Sequence, residues 1–338
     1  MKVGVIGCGA VSHYCHIPAL SRIAGVTVAA VADPDEASRS RAMRAVRAPG
    51  YKSAEFLLAG TDVDAVIIAT PPATHAAIGV MAARAGKAIY LEKPIATAIA
   101  DAITLSDEAN AAGVRAAVGF NRRSHPLFRR MRDLIERGAI GTIRAVQTTF
   151  CEPVPVDGMP PWKGARSNGG GVLLDLASHH IDLVRWITRA EITQVRATAA
   201  SDSSEQDSAS IEMTLDNGVI AQSFYSFRSG YSERMTVFGD KGQLEVDRHA
   251  GSLVLRRTRR IGYGARRAII APDLRDLSWK LRRIVRPAHD PSYRAALRSF
   301  VQQDATLPSL ADGEMSLRAV IAAEESALTG KPVVMAIP

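Results

Sequence analysis

Residues 2–12 read KVGVIGCGAVS, a short and mostly apolar run that leads directly into two glycines. This pattern is typical of a buried strand that ends in a tight turn and opens a helix. The first glycine, Gly7, permits the turn, and the second, Gly9, lets an anion approach the backbone. The helix N-terminus that follows would then hold the anion with its unpaired N–H groups. The stretch therefore predicts a binding site for a phosphate-bearing ligand.

The first 120 residues repeat this alternation of short apolar runs and longer, Ala-rich segments. Runs apolar on both faces occur at 2–6, 27–32, 65–69, 88–91 and 115–119, and the segments between them are long enough for helices. Such a pattern indicates a parallel sheet covered on both sides. We therefore predict an α/β Rossmann domain over residues 1–120.

The pattern changes in the second part of the chain. A predicted helix at 126–136 and a predicted strand at 142–151 precede a Pro- and Gly-rich loop that closes in three glycines at 169–171. A series of predicted strands then fills residues 194–255, with hairpin turns at residues 216–218 and 240–242. Over residues 121–338 we predict an α+β domain built on a mostly antiparallel sheet.

Composition and charge exclude several classes of protein. Of 338 residues, 47% are hydrophobic and 22% are charged, as in ordinary globular proteins. The net charge of +8 comes from one segment, 256–294, which holds 12 Lys or Arg against 3 Asp and no nucleic-acid motif. The three cysteines lack metal-ligand spacing, and no apolar run is long enough to span a membrane. We therefore expect a reduced, cytoplasmic protein that binds neither nucleic acid, membrane nor metal.

The end of the second predicted strand indicates which dinucleotide binds. Asp33 follows the glycines by about 25 residues, where an acidic side chain accepts hydrogen bonds from the ribose hydroxyls. Because its charge would repel a 2′-phosphate, Asp33 favours NAD over NADP, although Arg39 and Arg41 leave NADP open. Further predicted cofactor contacts come from the glycine turn and from the residues after the next two strands: Gly7, Gly9, Ala10, Val11, Thr70, Pro71, His75, Glu92 and Lys93.

A second group of chemically active residues follows the three glycines. Asp175 and His179 are four residues apart, and Asp182 is three residues further, so a helix would place all three on one face. An Asp beside a His can fix its tautomer and stabilise its protonated form, as in an acid–base histidine. A single His on an apolar helix is, however, more often a buried core residue, so the pattern alone leaves both interpretations open.

These motifs, in this order and spacing, resemble those of the Gfo/Idh/MocA oxidoreductases. The resemblance covers nearly the whole chain and rests on Gly7-Cys8-Gly9, Asp33, Thr70-Pro71 with His75, Glu92-Lys93-Pro94, and the three glycines before Asp175 and His179. It implies that Lys93, Asp175 and His179 are catalytic. It also implies that the substrate is bordered by Asn121, Arg122 and Arg123, with Trp162 and Arg166 reaching it from the loop before the glycines.

The activity implied by the resemblance is hydride transfer between nicotinamide and a secondary hydroxyl of a sugar or cyclitol. Relatives that use NAD for glycoside hydrolysis, and non-catalytic dinucleotide-binding sensors, are the alternatives. The resemblance further implies that the sheet of residues 121–338 is large and open. It implies that this domain binds substrate and mediates oligomerisation, as a homodimer or homotetramer formed through the C-terminal sheet. The basic segment 256–294 fits either a solvated or subunit-contacting face, or the attraction of a substrate that carries phosphate.

Overall fold

The computed structural model describes residues 1–261, 265–272 and 290–336, and the chain forms two compact units. The first unit comprises Met1–Ser124, Ser167–Gly170 and Asp290–Leu317. The second comprises His125–Arg166, Gly171–His289 and Arg318–Pro338. Of the basic segment 256–294, residues 262–264 and 273–289 lie outside the described residues.

The first unit is built on a six-stranded sheet of order β3-β2-β1-β4-β5-β6, in which every described pair is parallel. This arrangement confirms the predicted Rossmann fold. Its strands are β1 (Lys2–Ile6), β2 (Thr27–Ala32), β3 (Gly50–Tyr51), β4 (Ala65–Ile68), β5 (Ala88–Leu91) and β6 (Ala116–Val118).

In the described ranges the α-helices are α1 (Ile17–Leu20), α2 (Glu36–Val46), α3 (Ala54–Gly60), α4 (His75–Arg84), α5 (Ile99–Ala111), α6 (Pro126–Glu136), α7 (Ser178–Thr188), α8 (Pro291–Val301) and α9 (Leu310–Thr329). Local chemistry sets where they begin. The carboxylate of Asp35 accepts a hydrogen bond from Ser38 N at 2.7 Å and caps α2. Pro126 occupies the first turn of α6, where its missing N–H costs no helix hydrogen bond.

The core of the first unit includes a segment from near the end of the chain. Helix α8 contributes Leu297 and Phe300, both fully buried, to the cluster that contains Tyr90 of β5. The rings of Tyr90 and Phe300 lie 5.6 Å apart, edge to face, and the guanidinium of Arg115 lies 4.2 Å from the Phe300 ring centroid. The short apolar strand β5 is therefore covered partly by residues about 210 positions downstream in sequence, a separation longer than a typical domain.

The second unit is built on an open sheet whose nine described strands follow the order β14-β13-β12-β11-β7-β10-β9-β8-β15. Among the described strands of this second sheet, only β7 and β10 pair in parallel, which confirms the predicted, mostly antiparallel sheet. The strands are β7 (Ile143–Cys151), β8 (Ile192–Ala200), β9 (Ser208–Leu215), β10 (Ile220–Ser226), β11 (Ser232–Gly239), β12 (Gly242–Asp247), β13 (Ser252–Ile261), β14 (Ala265–Pro272) and β15 (Val333–Val334).

Along β10 buried and exposed side chains alternate, so that one face of this strand is covered and the other is accessible. Among the described helices of the whole chain, we find none with the length and apolar character needed to cross a membrane.

Candidate active site

The glycine turn after β1 contains two glycines with different roles. Gly7 has φ of +90°, and a Cβ there would lie 2.5 Å from the carbonyl oxygen of Ala69. Gly9 has no atom within 4 Å of the position its Cβ would take. The turn therefore needs Gly7 for its own backbone, whereas Gly9 leaves open space beside the backbone.

The helical segment after the turn begins with a π-helical turn, Ser12–His16, and continues as α1. Ser12 is fully buried, and its hydroxyl donates a hydrogen bond to the carbonyl oxygen of Gly7. The serine at the third position of the glycine motif thus closes the turn on itself, an interaction that a glycine could not make.

The Asp33 carboxylate lies against the glycine turn. Its Oδ2 accepts a hydrogen bond from Cys8 N at 2.6 Å, and its Oδ1 accepts one from Asp35 N at 2.8 Å. The guanidinium of Arg39 donates to the carbonyl oxygen of Asp33 at 2.7 Å. The end of β2 and the turn after β1 are therefore held together around a negative charge.

His75 lies inside the first unit, where it joins the loops that follow β4 and β5. It is 1% exposed, with Nε2 2.8 Å from the carbonyl oxygen of Thr70 and Nδ1 2.7 Å from that of Pro94. Burial lowers the pKa of His75 despite these two carbonyl neighbours. Its side chain therefore fixes the position of the Thr70-Pro71 and Lys93-Pro94 segments.

Glu92 and Lys93, at the end of β5, differ in burial. Glu92 is 8% exposed, and its Oε1 lies 2.9 Å from Nε2 of the fully buried His16. Burial opposes the ionised form, but His16 and Lys93 favour it more strongly, so the pKa of Glu92 lies below its ordinary value. Lys93 is only half-buried. Sequence reasoning missed His16, because nothing in the local pattern pairs it with a residue 76 positions away.

The predicted substrate residues Asn121, Arg122 and Arg123 form a 3-10 turn in the first unit. Asn121 is 1% exposed and Arg122 is 6% exposed. Arg122 Nη1 lies 3.3 Å from Asp290 Oδ2, and Arg123 Nη2 lies 2.9 Å from Asp312 Oδ1. Both guanidinium groups therefore pair with the returning C-terminal segment of this unit, and their contact with substrate stays a prediction.

In the second unit, Asp175 and His179 lie in consecutive helical segments. Asp175 belongs to a π-helical turn, Leu173–Ala177, and His179 belongs to the first turn of α7. They are 8% and 7% exposed. The ring of Phe150 on β7 stacks on His180, with centroids 5.3 Å apart, and lies 6.1 Å from the ring of His179. The sequence predicted a regular helix that begins at Asp175, whereas in the structure Asp175 lies in a π-helical turn and the α-helix begins at Ser178.

A lysine that the sequence analysis did not include is part of this group. Lys163 is 9% exposed, and its Nζ lies 3.0 Å from Asp175 Oδ2 and 3.4 Å from Glu152 Oε2. The only sequence signal was its position in the loop before the three glycines, beside Trp162. That signal could not separate Lys163 from a surface lysine.

The other two predicted substrate residues lie on the same loop. Trp162 is half-buried. Arg166 makes a two-pronged ion pair with Glu324, with Nη2 2.8 Å from Oε2, and its backbone N–H donates to Glu205. Arg166 therefore anchors the loop within the second unit, and its contact with substrate, like that of Trp162, stays a prediction.

Comparison with known proteins agrees with the observed fold. Residues 1–120 match a family model described as the oxidoreductase family, NAD-binding Rossmann fold. Residues 128–245 match a model described as the GFO/IDH/MocA C-terminal domain. The fold thus defines an oxidoreductase with an NAD-binding domain.

Individual relatives support the same assignment. The chain is 32% identical over 255 residues to the uncharacterized oxidoreductase YrbE of Bacillus subtilis, covering 72% of this chain and 73% of that protein. It is 30% identical over 258 residues to myo-inositol 2-dehydrogenase of Thermotoga maritima, covering 73% and 75%. The crystal structure of an oxidoreductase domain protein from Kribbella flavida shares the fold, with a TM-score of 0.87 and 21% identity over 100% of this chain and 99% of that one. The chain belongs to the GFO/IDH/MocA oxidoreductase family.

The residues of the glycine turn fit the dinucleotide that this family binds. The open space beside Gly9 is where a pyrophosphate can approach the backbone, and a side chain there would fill it. The Asp33 carboxylate stands at the same turn, where it is able to accept hydrogen bonds from ribose hydroxyls.

Proposed function

We propose that this protein is an NAD-dependent dehydrogenase that oxidises a secondary hydroxyl of a sugar or cyclitol, whether free, phosphorylated or nucleotide-linked. The observation that carries the proposal is the buried pair of Asp175 and His179 on consecutive helical turns, in a chain whose first unit is an NAD-binding Rossmann domain. The 30% identity to a myo-inositol 2-dehydrogenase supports a polyol substrate.

In this proposal Gly7, Gly9 and Asp33 hold the dinucleotide, which supplies a hydride acceptor when it is bound. His179 removes the proton of the substrate hydroxyl at a ring nitrogen, because a neutral imidazole is a suitable base near neutral pH. Asp175 orients the imidazole. Lys93 supplies positive charge that stabilises the developing alkoxide.

The proposal is tested by a spectrophotometric screen of NAD and NADP against cyclitols and sugars, with and without phosphate groups. We expect NADH formation with at least one polyol. Cleavage of a glycosidic bond without net NADH formation would instead assign the hydrolase alternative, and NAD binding without any turnover would favour a sensor.

The proposed residue roles are tested with Lys93→Met and His179→Ala. We expect each to lower kcat by roughly 10²–10⁴, the scale typical of charge-stabilising and acid–base groups. NAD should still bind to His179→Ala, since none of the predicted cofactor contacts lies in α7. The exposed residues Lys52 and His249 provide matched controls, as Lys52→Met and His249→Ala, which should turn over at the wild-type rate. Near-normal turnover of either test variant would remove that residue from the mechanism.

A further inference from the structure

Lys163 is a buried positive charge that the proposed mechanism does not use. Its Nζ contacts the carboxylates of Asp175 and Glu152, and it also lies 4.7 Å from the centroid of the Phe227 ring. Burial lowers the pKa of Lys163, but the two carboxylates outweigh that effect and raise the pKa above its ordinary value. Lys163 therefore stays protonated throughout the range in which a histidine titrates.

The backbone holds Lys163 at the start of the helical segment that bears Asp175. Lys163 N donates to the carbonyl oxygen of Pro160 at 2.9 Å, and Gly171 N donates to the carbonyl oxygen of Lys163 at 3.1 Å. Gly171 has φ of +86°, a conformation that favours glycine. The ion pair between Lys163 and Asp175 is thus built into the turn that leads to α7.

The two contacts of Lys163 are not equivalent. The side chain of Glu152 is 44% exposed, so water screens its charge, whereas that of Asp175 is only 10% exposed. The shorter distance and the deeper burial both make Asp175 the stronger partner. The charge of Asp175 is therefore largely balanced before His179 is considered.

We propose that Lys163 is a positioning residue that balances the charge of Asp175 and so keeps the imidazole of His179 neutral and able to accept a proton. An unbalanced carboxylate on the preceding turn would stabilise the protonated imidazole, which is no longer a base. With Lys163 in place, Asp175 can orient His179 without fixing a proton on it. This inference rests on the proposed role of His179 as the base.

Other titratable groups of the second unit lie on α7, which bears His179, or on the strands whose rings contact His179 and His180, and they are the same in wild type and in a Lys163 variant. His180 and Asp182 are on its own helix, Glu152 and Cys151 are at the end of β7, and Tyr225 on β10 lies beside His180. Burial raises the pKa of Tyr225 to about 12, so it stays neutral in the relevant range. A difference in the titration midpoint of His179 between wild type and Lys163→Met is therefore caused by the loss of Lys163.

The test is an NMR titration of the full chain with ¹³C-labelled histidine, in saturating NAD and without it. The His179 signal is assigned by its loss in His179→Asn. We expect the titration midpoint of His179 to rise by about half a pH unit to one unit in Lys163→Met, since a nearby positive charge is lost. Lys163→Arg should keep the wild-type midpoint. Lys241→Met, which removes an exposed lysine of the same unit, serves as the matched control and should also leave it unchanged.

Kinetics give a second readout. In Lys163→Met the acidic limb of the kcat/KM profile should move to higher pH by the same amount, and activity should recover as the pH is raised. A merely structural role would lower activity at all pH values. If Lys163→Met does not fold, Lys163→Gln takes its place in both measurements.

An unchanged or lowered His179 midpoint in the lysine variant overturns the inference. The proposed function fails separately, if no polyol is oxidised or if His179→Ala retains activity. Because the titration needs no substrate, the two failures can be told apart.

Discussion

At the scale of single residues, Asp33 sets the expected choice of cofactor. Its carboxylate lies at the glycine turn, hydrogen-bonded to Cys8 N, and would oppose a 2′-phosphate. We expect NAD to bind at least tenfold more tightly than NADP, about 1.4 kcal/mol, and Asp33→Ser to narrow that ratio. Titration of intrinsic fluorescence with each cofactor measures both. Asp35→Ser removes an equal charge two residues away and keeps a residue that caps α2, so it should preserve the ratio; a wild-type preference for NADP would contradict the role of Asp33.

The buried carboxylate of Glu92 leads to a second prediction, which concerns how the free energy of unfolding depends on pH. The pKa of Glu92 is lower in the folded chain than in the unfolded chain, so ionised Glu92 stabilises the folded chain. This stabilisation is fully present above the unfolded-state pKa of about 4.5, and it is lost as the pH falls through the folded-state pKa. At pH 7, Glu92→Gln should lower the free energy of unfolding by roughly 1.5–3 kcal/mol, the scale of a lost hydrogen bond to a buried charged group. The difference in free energy of unfolding between wild type and Glu92→Gln, measured by urea unfolding, should be smaller at about pH 3.5 than at pH 7. Glu325→Gln, at an exposed site, should show no difference from wild type at either pH. A difference that stays constant with pH for Glu92→Gln would mean that the pKa of its carboxylate is the same in the folded and the unfolded chain.

At the scale of elements, the two glycines of the turn after β1 have different expected roles: Gly7 in stability and Gly9 in NAD binding. Gly7→Ala forces an alanine to φ of +90° and places its Cβ against a backbone oxygen, so the free energy of unfolding should fall by roughly 2 kcal/mol or more. Gly9→Ala meets no neighbour and should change stability by less than about 0.5 kcal/mol, yet weaken NAD binding tenfold or more, because the methyl group occupies the approach to the backbone. Chemical unfolding and NAD titration of both variants measure these effects. Tight NAD binding by Gly9→Ala would contradict the placement of the pyrophosphate.

The same elements show what a sequence can predict. Strands β1, β2 and β5 match the predicted ranges, because each is a continuous apolar run bounded by turn residues. Helix α6 also matches, since Pro126 and Gly138 mark its ends. Strand β3 was missed, because two residues carry no periodic pattern.

What the sequence could not predict depends on contacts between distant positions. Nothing in the amphipathic pattern of α8 indicates that it packs beside Tyr90 in the first unit. The pairing of Lys163 with Asp175 depends on the path of the intervening loop, which carries no periodicity. The π-helical turn that contains Asp175 has no known local signature either, so residue types were predictable here but their contacts were not.

At the scale of the whole molecule, the accessible face of the second sheet fits the predicted self-association. Ile220 and Phe224, two residues of β10 on the same face, are 48% and 42% exposed. Phe224 also lines a cavity of about 370 Å³ on this sheet, together with polar residues of β7, β8 and β9. Exposed apolar groups with a polar surround are typical of surfaces that associate.

We therefore expect the wild-type chain to elute from a sizing column with a mass of at least twice the 36.1 kDa of one chain, measured by light scattering. Phe224→Arg should shift it to 36.1 kDa, because an arginine in the middle of the contact would be buried without a partner. Phe56 is 63% exposed on α3 of the first unit, so Phe56→Arg is a matched change outside the sheet and should leave the mass unchanged. A monomeric wild-type chain would refute self-association altogether, whereas an oligomer that survives Phe224→Arg would place the contact on another surface.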